Sequence, residues 1–312
     1  MTVFETPQVT QVARRPLIGY ATYLVAAVLF ALNGTVSKYL LLGGVPWHRL
    51  SQLRVTLALV ILALAVLATN RRAFHLRRVE IRPMLVYGIF GIAATQSLYF
   101  LAIEKLPVGV ALLFEFTAPI MVALWFRFVL REPVRDRVFG ALLLAMVGLA
   151  MVAQVWQGFA LDAVGVAAAL AAAMALAVYY VLGEQLVAHR DPVSLTMWGF
   201  AFAGAFWAVV APWWSFPWDT LQFSTAVGES GPVLPGWGLV AYMVVLGTVV
   251  PFALVLQSLR NLRATQASVV GMTEPLIASG IAFALLGETL TPAQILGGAV
   301  VLVGVLLAET AR

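Results

Sequence analysis

The chain has no cysteine among its 312 residues, and only 11% of its residues are charged. The missing cysteines exclude disulfides, thiolate zinc sites and cysteine nucleophiles. With 62% hydrophobic residues, the composition does not fit a soluble domain, which is ~45–50% apolar and ~25% charged. A soluble core of this size cannot hide so much apolar material from water. The composition therefore predicts a protein whose natural solvent is lipid.

Metal-ligating and nucleotide-binding patterns are also missing from the sequence. The three histidines, His48, His75 and His189, are dispersed at loops and predict no metal site. The segment from Gly88 to Gly91 follows no strand, and there is no Gly-x-x-x-x-Gly-Lys-Ser/Thr loop, so no nucleotide site is predicted. The net charge of +5 comes from basic residues in short loops, which does not indicate nucleic-acid binding. We expect no cofactor, and coupling to a proton or another ion stays open.

Ten apolar runs are long enough to cross a bilayer, which takes ~20 helical residues. Most of them end at polar residues, proline or glycine. The polar residues 1–16 before the first run are interpreted as a cytoplasmic tail, followed by a retained helix and not by a cleaved signal peptide. The predicted spans are 17–42, 47–69, 83–103, 107–130, 138–156, 161–185, 192–212, 236–258, 264–286 and 292–309. The predicted fold class is an all-α integral membrane protein.

Lysine and arginine divide unequally between the two sides that these spans define. With the N-terminus inside, fifteen fall on the inner side and three on the outer side, while Arg54 lies within the membrane. Cytoplasmic loops carry an excess of positive residues, so both chain ends are predicted to be cytoplasmic. The inner residues are Arg14, Arg15, Arg71, Arg72, Arg77, Arg78, Arg82, Arg127, Arg131, Arg135, Arg137, Arg190, Arg260, Arg263 and Arg312, and the outer ones are Lys38, Arg49 and Lys105.

The longest outer loop, 213–235, begins with an aromatic cluster. Trp213, Trp214, Phe216 and Trp218 stand within six residues of one another. Tryptophans are enriched where a membrane meets water, so we interpret the cluster as an interfacial belt. A tryptophan-lined substrate vestibule is the alternative.

The chain contains an internal repeat of five helices. Pro119, Glu132 and Gly148 recur as Pro275, Glu288 and Gly304, with the same spacings of 13 and 16 residues. Earlier in the chain, Gly19 and Pro46 correspond to Gly165 and Pro192. Because five is odd, the second half starts on the opposite side of the membrane, so the halves are predicted to be inverted repeats. Inverted repeats are typical of secondary transporters, in which the halves enclose a site near the midplane.

The repeated motifs are those of a known family. The first copy reads Glu115-Phe116-Thr117-Ala118-Pro119 and then Arg131-Glu132-Pro133, and the second reads Glu274-Pro275, then Gly287-Glu288-Thr289-Leu290-Thr291 and Gly297-Gly298. These residues resemble the drug/metabolite transporter superfamily in its EamA type, over residues 18–308. The first copy departs from the pattern by a more basic stretch, Arg-Glu-Pro-Val-Arg-Asp. Its Glu-Phe-Thr-Ala-Pro stretch is similar to the threonine/homoserine exporter branch.

The resemblance implies ten helices in two EamA repeats, at 17–156 and 161–309, around a central cavity. It also implies export or exchange of small metabolites, of which amino acids are the commonest, in a bacterial inner membrane. No universal set of substrate ligands comes with the family. The site must therefore be argued from this chain's own residues.

Three charged residues stand well inside the predicted spans: Arg54, Glu115 and Glu274. A charge near the bilayer centre costs ~2.5–3.5 kcal/mol even on the mild scale, so it normally faces a cavity or a partner. Arg54 and Glu115 both lie ~10–12 Å below the outer surface, and we expect that they can form an ion pair. That pair either holds two helices together or takes part in binding of the substrate or a proton.

Glu274 has no obvious basic partner near the middle of its helix. Loss of water favours the neutral form of a carboxyl group, so Glu274 is a candidate for proton coupling. The alternative is a protonated side chain bonded to a backbone carbonyl near Pro275, where the helix is loosened. For a zwitterionic amino acid, Arg54 would hold the carboxylate and Glu115 or Glu274 the amine.

Further candidates for the site are neutral polar and aromatic residues within the spans. The polar ones are Asn33, Gln96 and Gln257, and the aromatic ones are Tyr99, Tyr179 and Trp198. Packing or interface anchoring is the alternative for each aromatic residue. Glu132 and Glu288 lie near the N-termini of the fifth and tenth helices, where the helix dipole favours a negative charge.

The leading functional hypothesis is a secondary transporter that moves small metabolites by alternating access, without enzymatic activity. A membrane enzyme or lipid-processing protein would need clustered catalytic Asp, His or Ser at one interface, and no such cluster appears. A passive channel is the third hypothesis, although channels are normally symmetric oligomers without inverted repeats. The expected partners are a small solute and the lipid bilayer, in a monomer or homodimer, and the solute's identity is not readable.

Overall fold

The computed structural model describes residues 15–158, 161–226, 233–286 and 291–311 and is mostly helical. Its α-helices are α1 Pro16–Leu42, α2 Trp47–Thr69, α3 Arg78–Val86, α4 Ala94–Lys105, α5 Val108–Glu115, α6 Ala118–Leu124, α7 Asp136–Val152, α8 Ala163–Val187, α9 Pro192–Val210, α10 Gly236–Val244, α11 Val250–Leu259, α12 Ala264–Gly271, α13 Glu274–Leu286 and α14 Pro292–Thr310. Two short antiparallel strands, β1 Ser224–Ala226 and β2 Val233–Pro235, form a hairpin in the long loop. The predicted tail up to residue 14, and the predicted cap Glu288 with its motif neighbours 287–290, lie outside the described residues.

Eight helical segments of the described chain are long and apolar enough to cross a membrane. They are Pro16–Leu42, Trp47–Thr69, Arg78–Lys105, Val108–Val129, Ala163–Val187, Pro192–Val210, Gly236–Leu259 and Pro292–Thr310. Each coincides with one predicted span. The remaining two predicted spans, 138–156 and 264–286, correspond to the 17-residue α7 and to the interrupted pair α12 and α13. For those two, membrane crossing stays a prediction.

Large apolar side chains cover the outside of this helix bundle. Large side chains such as Leu64, Leu143 and Leu306 are 60%, 60% and 63% exposed. A soluble monomer rarely exposes so many large apolar side chains to water, so their exposure indicates contact with lipid. The chain is therefore an all-α membrane protein, as its composition predicts.

Both described chain ends lie on one face of the bundle. Tyr20, near the start of α1, donates a hydrogen bond of 2.5 Å to Glu309, near the end of α14. The backbone amide of Arg15 donates to Asn261 Oδ1 at 3.2 Å. We call this side the chain-end face and the other side the opposite face.

The helices α7 and α14 pack closely along their length. A Cβ atom added at Gly148 would lie 2.6 Å from Val301 N, and one added at Gly304 would lie 2.7 Å from Ala145 N. Such small residues let helix backbones approach where no hydrophobic effect separates helix from lipid. The pair joins the last helices of the two halves.

The first helix of each half packs against the other half, and the two contacts involve equivalent residues. A Cβ atom added at Gly19 would lie 2.6 Å from Leu262 Cγ, and one at Gly165 would lie 2.8 Å from Leu106 Cγ. Gly19 and Gly165 are repeat equivalents, and the same is true of Leu106 and Leu262. Accordingly α1 packs on α11, α12 and α13, while α8 packs on α4, α5 and α6.

The aromatic cluster of the long loop packs on itself at the opposite face. The rings of Trp213 and Phe216 stack at 5.5 Å, and those of Trp213 and Trp218 stack at 6.1 Å. Trp214 is 89% exposed. None of these residues lines the central cavity, which favours the interfacial belt over a substrate vestibule.

Candidate functional site

A cavity of about 90 Å³ lies in the middle of the bundle. One water needs at least ~10–15 Å³ of such space, so the cavity is large enough for several waters or for a small solute. Helices from both halves contribute to its wall. The lining residues are Tyr23, Phe30, Asn33, Gly34, Arg54, Thr95, Gln96, Tyr99, Leu112, Glu115, Phe116, Leu176, Tyr180, Phe252 and Glu274.

Six of the nine residues singled out from the sequence meet in this wall. They are Asn33, Arg54, Gln96, Tyr99, Glu115 and Glu274. They come from five separate helices and from distant parts of the chain. The cavity therefore carries one guanidinium, two carboxyl groups and two amides, among aromatic and aliphatic side chains and the hydroxyl groups of three tyrosines and a threonine.

Three predicted residues lie outside the lining. Tyr179 is a layer behind it, with its ring 5.5 Å from that of Phe252, which lines the cavity. Trp198 donates from Nε1 to the carbonyl oxygen of Ala73 at 3.0 Å, in the turn between α2 and α3. Gln257 is half-buried in α11, beyond Phe252 toward the chain-end face.

Arg54 is held by an irregular turn between α10 and α11. Its Nε donates to Thr248 Oγ1 at 2.6 Å, and its Nη2 donates to the carbonyl oxygen of Gly247 at 2.8 Å. The guanidinium also lies 5.3 Å from the ring centre of Phe100 and 6.0 Å from that of Phe252. Residues 245–249 form a π-helical turn, and such single turns are frequent at functional sites.

These contacts correct the predicted ion pair of Arg54 with Glu115. No such pair occurs in the described part of the chain, where Arg54 bonds to the second half of the protein instead. Neither Glu115 nor Glu274 has a hydrogen bond or ion pair with another described residue. The equal depth of Arg54 and Glu115 in their helices did not fix the direction in which each side chain points. Both carboxyl groups belong to the wall of the cavity.

Equivalent breaks in two helices place the carboxyl groups. In the first half α5 ends at Glu115 and α6 begins at Ala118. In the second half α12 ends at Gly271 and α13 begins at Glu274. A threonine in each break, Thr117 or Thr273, donates to a backbone carbonyl three residues earlier at 2.7 Å. Discontinuous helices of this kind form the midplane sites of many secondary transporters.

The two breaks carry their glutamates at opposite ends of a helix. Glu115 is the last residue of α5, whereas Glu274 is the first residue of α13. A helix N-terminus stabilises a negative charge and a C-terminus destabilises it. The two carboxyl groups are therefore not electrostatically equivalent.

Two buried amides complete the polar lining. Asn33 and Gln96 are each 3% exposed. Asn33 Oδ1 and both amide atoms of Gln96 have no hydrogen-bond partner among the described residues. Buried polar groups are nearly always hydrogen-bonded in native structures, so the unpartnered amide of Gln96 in the cavity wall is the candidate for a ligand contact. Asn33 Oδ1 instead lies against Gly247, where an added Cβ atom would clash with it.

A pair of tyrosines borders the cavity on the chain-end side. The hydroxyl groups of Tyr23 and Tyr180 form a hydrogen bond between α1 and α8. Tyr23 lies ten residues before Asn33 in α1, ~15 Å closer to the chain-end face. Gly271 makes room for the pair, because a Cβ atom there would lie 2.7 Å from the Tyr23 hydroxyl.

Sequence reasoning missed Tyr23, Phe252 and Thr248. An aromatic residue in an apolar helix carries no signal that separates a cavity wall from packing. Thr248 contributes only through its contact with Arg54, which is 194 residues away in the sequence. Within the described residues there is no group of three His, Cys, Asp or Glu that could hold a metal ion.

The chain belongs to the EamA-like transporter family, whose model matches residues 17–154 and 163–310. It is therefore a multi-pass membrane transporter. The threonine/homoserine exporter RhtA of Escherichia coli is 30% identical over 227 residues, which cover 70% of this chain and 68% of RhtA. The uncharacterized inner membrane transporter YicL of Salmonella typhimurium is 24% identical over 298 residues, which cover 93% of this chain and 94% of YicL.

A solved crystal structure has the same fold. It superposes with a TM-score of 0.70 at 20% sequence identity, covering 95% of this chain and 98% of that one. At this identity the likeness shows the fold alone.

Proposed function

We propose that this protein is a secondary active transporter that exports or exchanges small amino acids across a bacterial inner membrane. The observation that carries the proposal is the central cavity, in which Arg54, Glu115 and Glu274 meet without pairing to each other. A guanidinium can bind a carboxylate through parallel hydrogen bonds, and a carboxylate can accept from an ammonium group. The cavity thus offers opposite charges to the two ends of a zwitterion, and its size suits a small one.

We propose alternating access between two inverted five-helix repeats, 17–156 and 161–309, as the mechanism. The equivalent contacts of Gly19 with Leu262 and of Gly165 with Leu106 support this arrangement, because equivalent residues meet at opposite faces. The first helices α1 and α8 each pack on the other half. Movement of one half against the other would then open the cavity to one side at a time.

The orientation with both chain ends in the cytoplasm is part of the proposal. The contact of Tyr20 with Glu309 puts both ends on one face, and the excess of arginine in the loops of that face favours the cytoplasmic side. With this orientation, the hydrogen-bonded tyrosines Tyr23 and Tyr180 lie on the cytoplasmic side of the cavity. In the proposed mechanism their hydrogen bond helps to hold that side closed.

Proton exchange is the proposed coupling. Two carboxyl groups line one cavity with a single guanidinium, so binding an ammonium group and binding a proton compete for the same oxygens. Glu274 is the proposed carrier, with Glu115 as the second acid at the site. The transporter would act without enzymatic chemistry.

Counterflow in liposomes tests the proposed function. The purified protein is reconstituted into vesicles loaded with an unlabelled amino acid, and uptake of trace labelled amino acid from outside is followed. We expect saturable uptake that overshoots equilibrium and that internal amino acid accelerates. A passive channel gives no overshoot, and empty vesicles provide the baseline. Absence of uptake for every amino acid tested, by protein shown to be folded, would overturn the proposal.

A further inference from the structure

Gln96 stands out among the polar residues of its helix. Its neighbours Thr95 and Ser97 donate to backbone carbonyls one turn earlier, at 2.6 Å and 2.5 Å. Gln96 makes no such bond, and neither its Oε1 nor its Nε2 has a partner among the described residues. The two polar neighbours of Gln96 are thus satisfied by the backbone of their own helix, and the amide of Gln96 is not.

The other buried glutamine of the first half shows the usual arrangement. The amide nitrogen of Gln52 donates to the carbonyl oxygen of Ala211, and its Oε1 accepts from Arg49 at 2.9 Å. Gln52 lies away from the cavity and joins α2 to the loop after α9. Burial of a glutamine in this protein therefore does not by itself leave the amide unpaired. The unpaired amide is the one at the cavity.

An amide offers two donors and an acceptor oxygen but no charge. It cannot compete with Arg54 or with the carboxyl groups for the charged ends of a zwitterion. It matches a neutral group that both donates and accepts, such as a hydroxyl or a carboxamide.

We propose that Gln96 is a specificity-determining residue that binds a hydroxyl or carboxamide on the side chain of the transported amino acid. This inference rests on the proposed function and refines it to small, uncharged polar amino acids. An apolar isostere leaves the buried amide unpaired, and a site built to hydrogen-bond a substrate group rejects the analogue that lacks it.

Two isosteric substrate pairs test the inference in the reconstituted protein. Threonine is compared with valine and asparagine with leucine, by the initial rate of counterflow at low substrate concentration. We expect the parent protein to favour the polar member by about tenfold or more, a factor that corresponds to ~1.4 kcal/mol. A ratio near one in the parent overturns the inference without any variant, while uptake of both members still supports amino-acid transport.

Gln96→Met then assigns the preference to this residue, since methionine keeps the length of the side chain and removes the hydrogen bonds. We expect the polar-to-apolar ratio to fall to near one, with valine and leucine uptake retained. Ser97→Ala, on the same helix but away from the cavity lining, should keep the parent ratio. A parent ratio retained by Gln96→Met would overturn the assignment. If the parent transports other amino acids but neither threonine nor asparagine, the inference is wrong, and if it transports no amino acid at all, the proposed function fails as well.

Discussion

Removing the guanidinium of Arg54 should weaken binding of the substrate's carboxylate. The contacts of the protein with the rest of the substrate should not change. In the structure Nε and Nη2 of Arg54 are committed to Thr248 and Gly247, at 2.6 Å and 2.8 Å. Nη1 has no partner among the described residues and belongs to a side chain that lines the cavity. The remaining donors are therefore the ones available to a carboxylate. Arg54→Met removes them together with the positive charge.

The size of the effect follows from one charge-assisted hydrogen bond. Such a bond contributes ~1.5–3 kcal/mol, and each 1.4 kcal/mol is a factor of ten in affinity. The KM for an amino acid should therefore rise roughly 10–150-fold in Arg54→Met. Arg54→Lys keeps the charge but offers a point donor in place of a planar fork, so a smaller rise is expected.

A decarboxylated analogue of the substrate separates binding from structural damage. Threonine and its decarboxylation product, an amino alcohol, differ only in the carboxylate. Uptake of threonine by Arg54→Met should fall as calculated, whereas uptake of the amino alcohol should change little. Equal losses for both compounds would mean that Arg54 only braces α10 and α11. Equal uptake of threonine by variant and parent would remove Arg54 from the substrate site.

Three further changes test other parts of the account. Glu274→Gln keeps the shape of the side chain but cannot exchange a proton, so transport should lose its dependence on pH, and an unchanged pH profile would exclude Glu274 as the carrier. Tyr180→Phe removes the hydrogen bond to Tyr23, which contributes ~0.5–1.5 kcal/mol. The conformational equilibrium should therefore shift roughly 2–12-fold toward the state that is open at the chain-end face. Fluorescence quenching by a quencher added on that side measures this shift. Gly304→Ala should cost ~1–3 kcal/mol by forcing α7 and α14 apart and should lower the Tm in detergent. Gly140→Ala should not lower it, because a Cβ atom added there would meet nothing within 4 Å beyond the backbone of its own helix and its chain neighbours.

The sequence predicted the spans and the charged lining because both carry an energetic signal in a membrane. Apolar runs of spanning length are rare unless they meet lipid, and a charge such as Glu115 or Glu274 persists in such a run only where it is compensated. The same reasoning applies to the amides of Asn33 and Gln96, although an uncharged amide costs less free energy in a membrane than a charge does. For this reason six of the nine chosen residues line one cavity.

The missed features depend on rotation about helix axes and on long-range contacts. The depth of Arg54 was estimated from its place in the helix, but its direction follows from the π-helical turn near Gly247, to which no sequence pattern pointed. Trp198 and Tyr179 occupy spans at plausible depth, yet they face the turn near Ala73 and a second aromatic layer. Tyr23 and Phe252 look like ordinary packing residues until α1 and α11 are brought together.

The natural absence of cysteine allows a direct test of alternating access, because single-cysteine variants need no background changes. Leu112 lines the cavity and Ser268 is its repeat equivalent in α12, buried at 1% exposure. Labelling of Leu112→Cys and Ser268→Cys by a maleimide is measured in vesicles with and without substrate or a pH gradient. Alternating access predicts that the two labelling rates change in opposite directions, because one side of the cavity opens as the other closes. Rates that rise and fall together, or that do not respond, would contradict it.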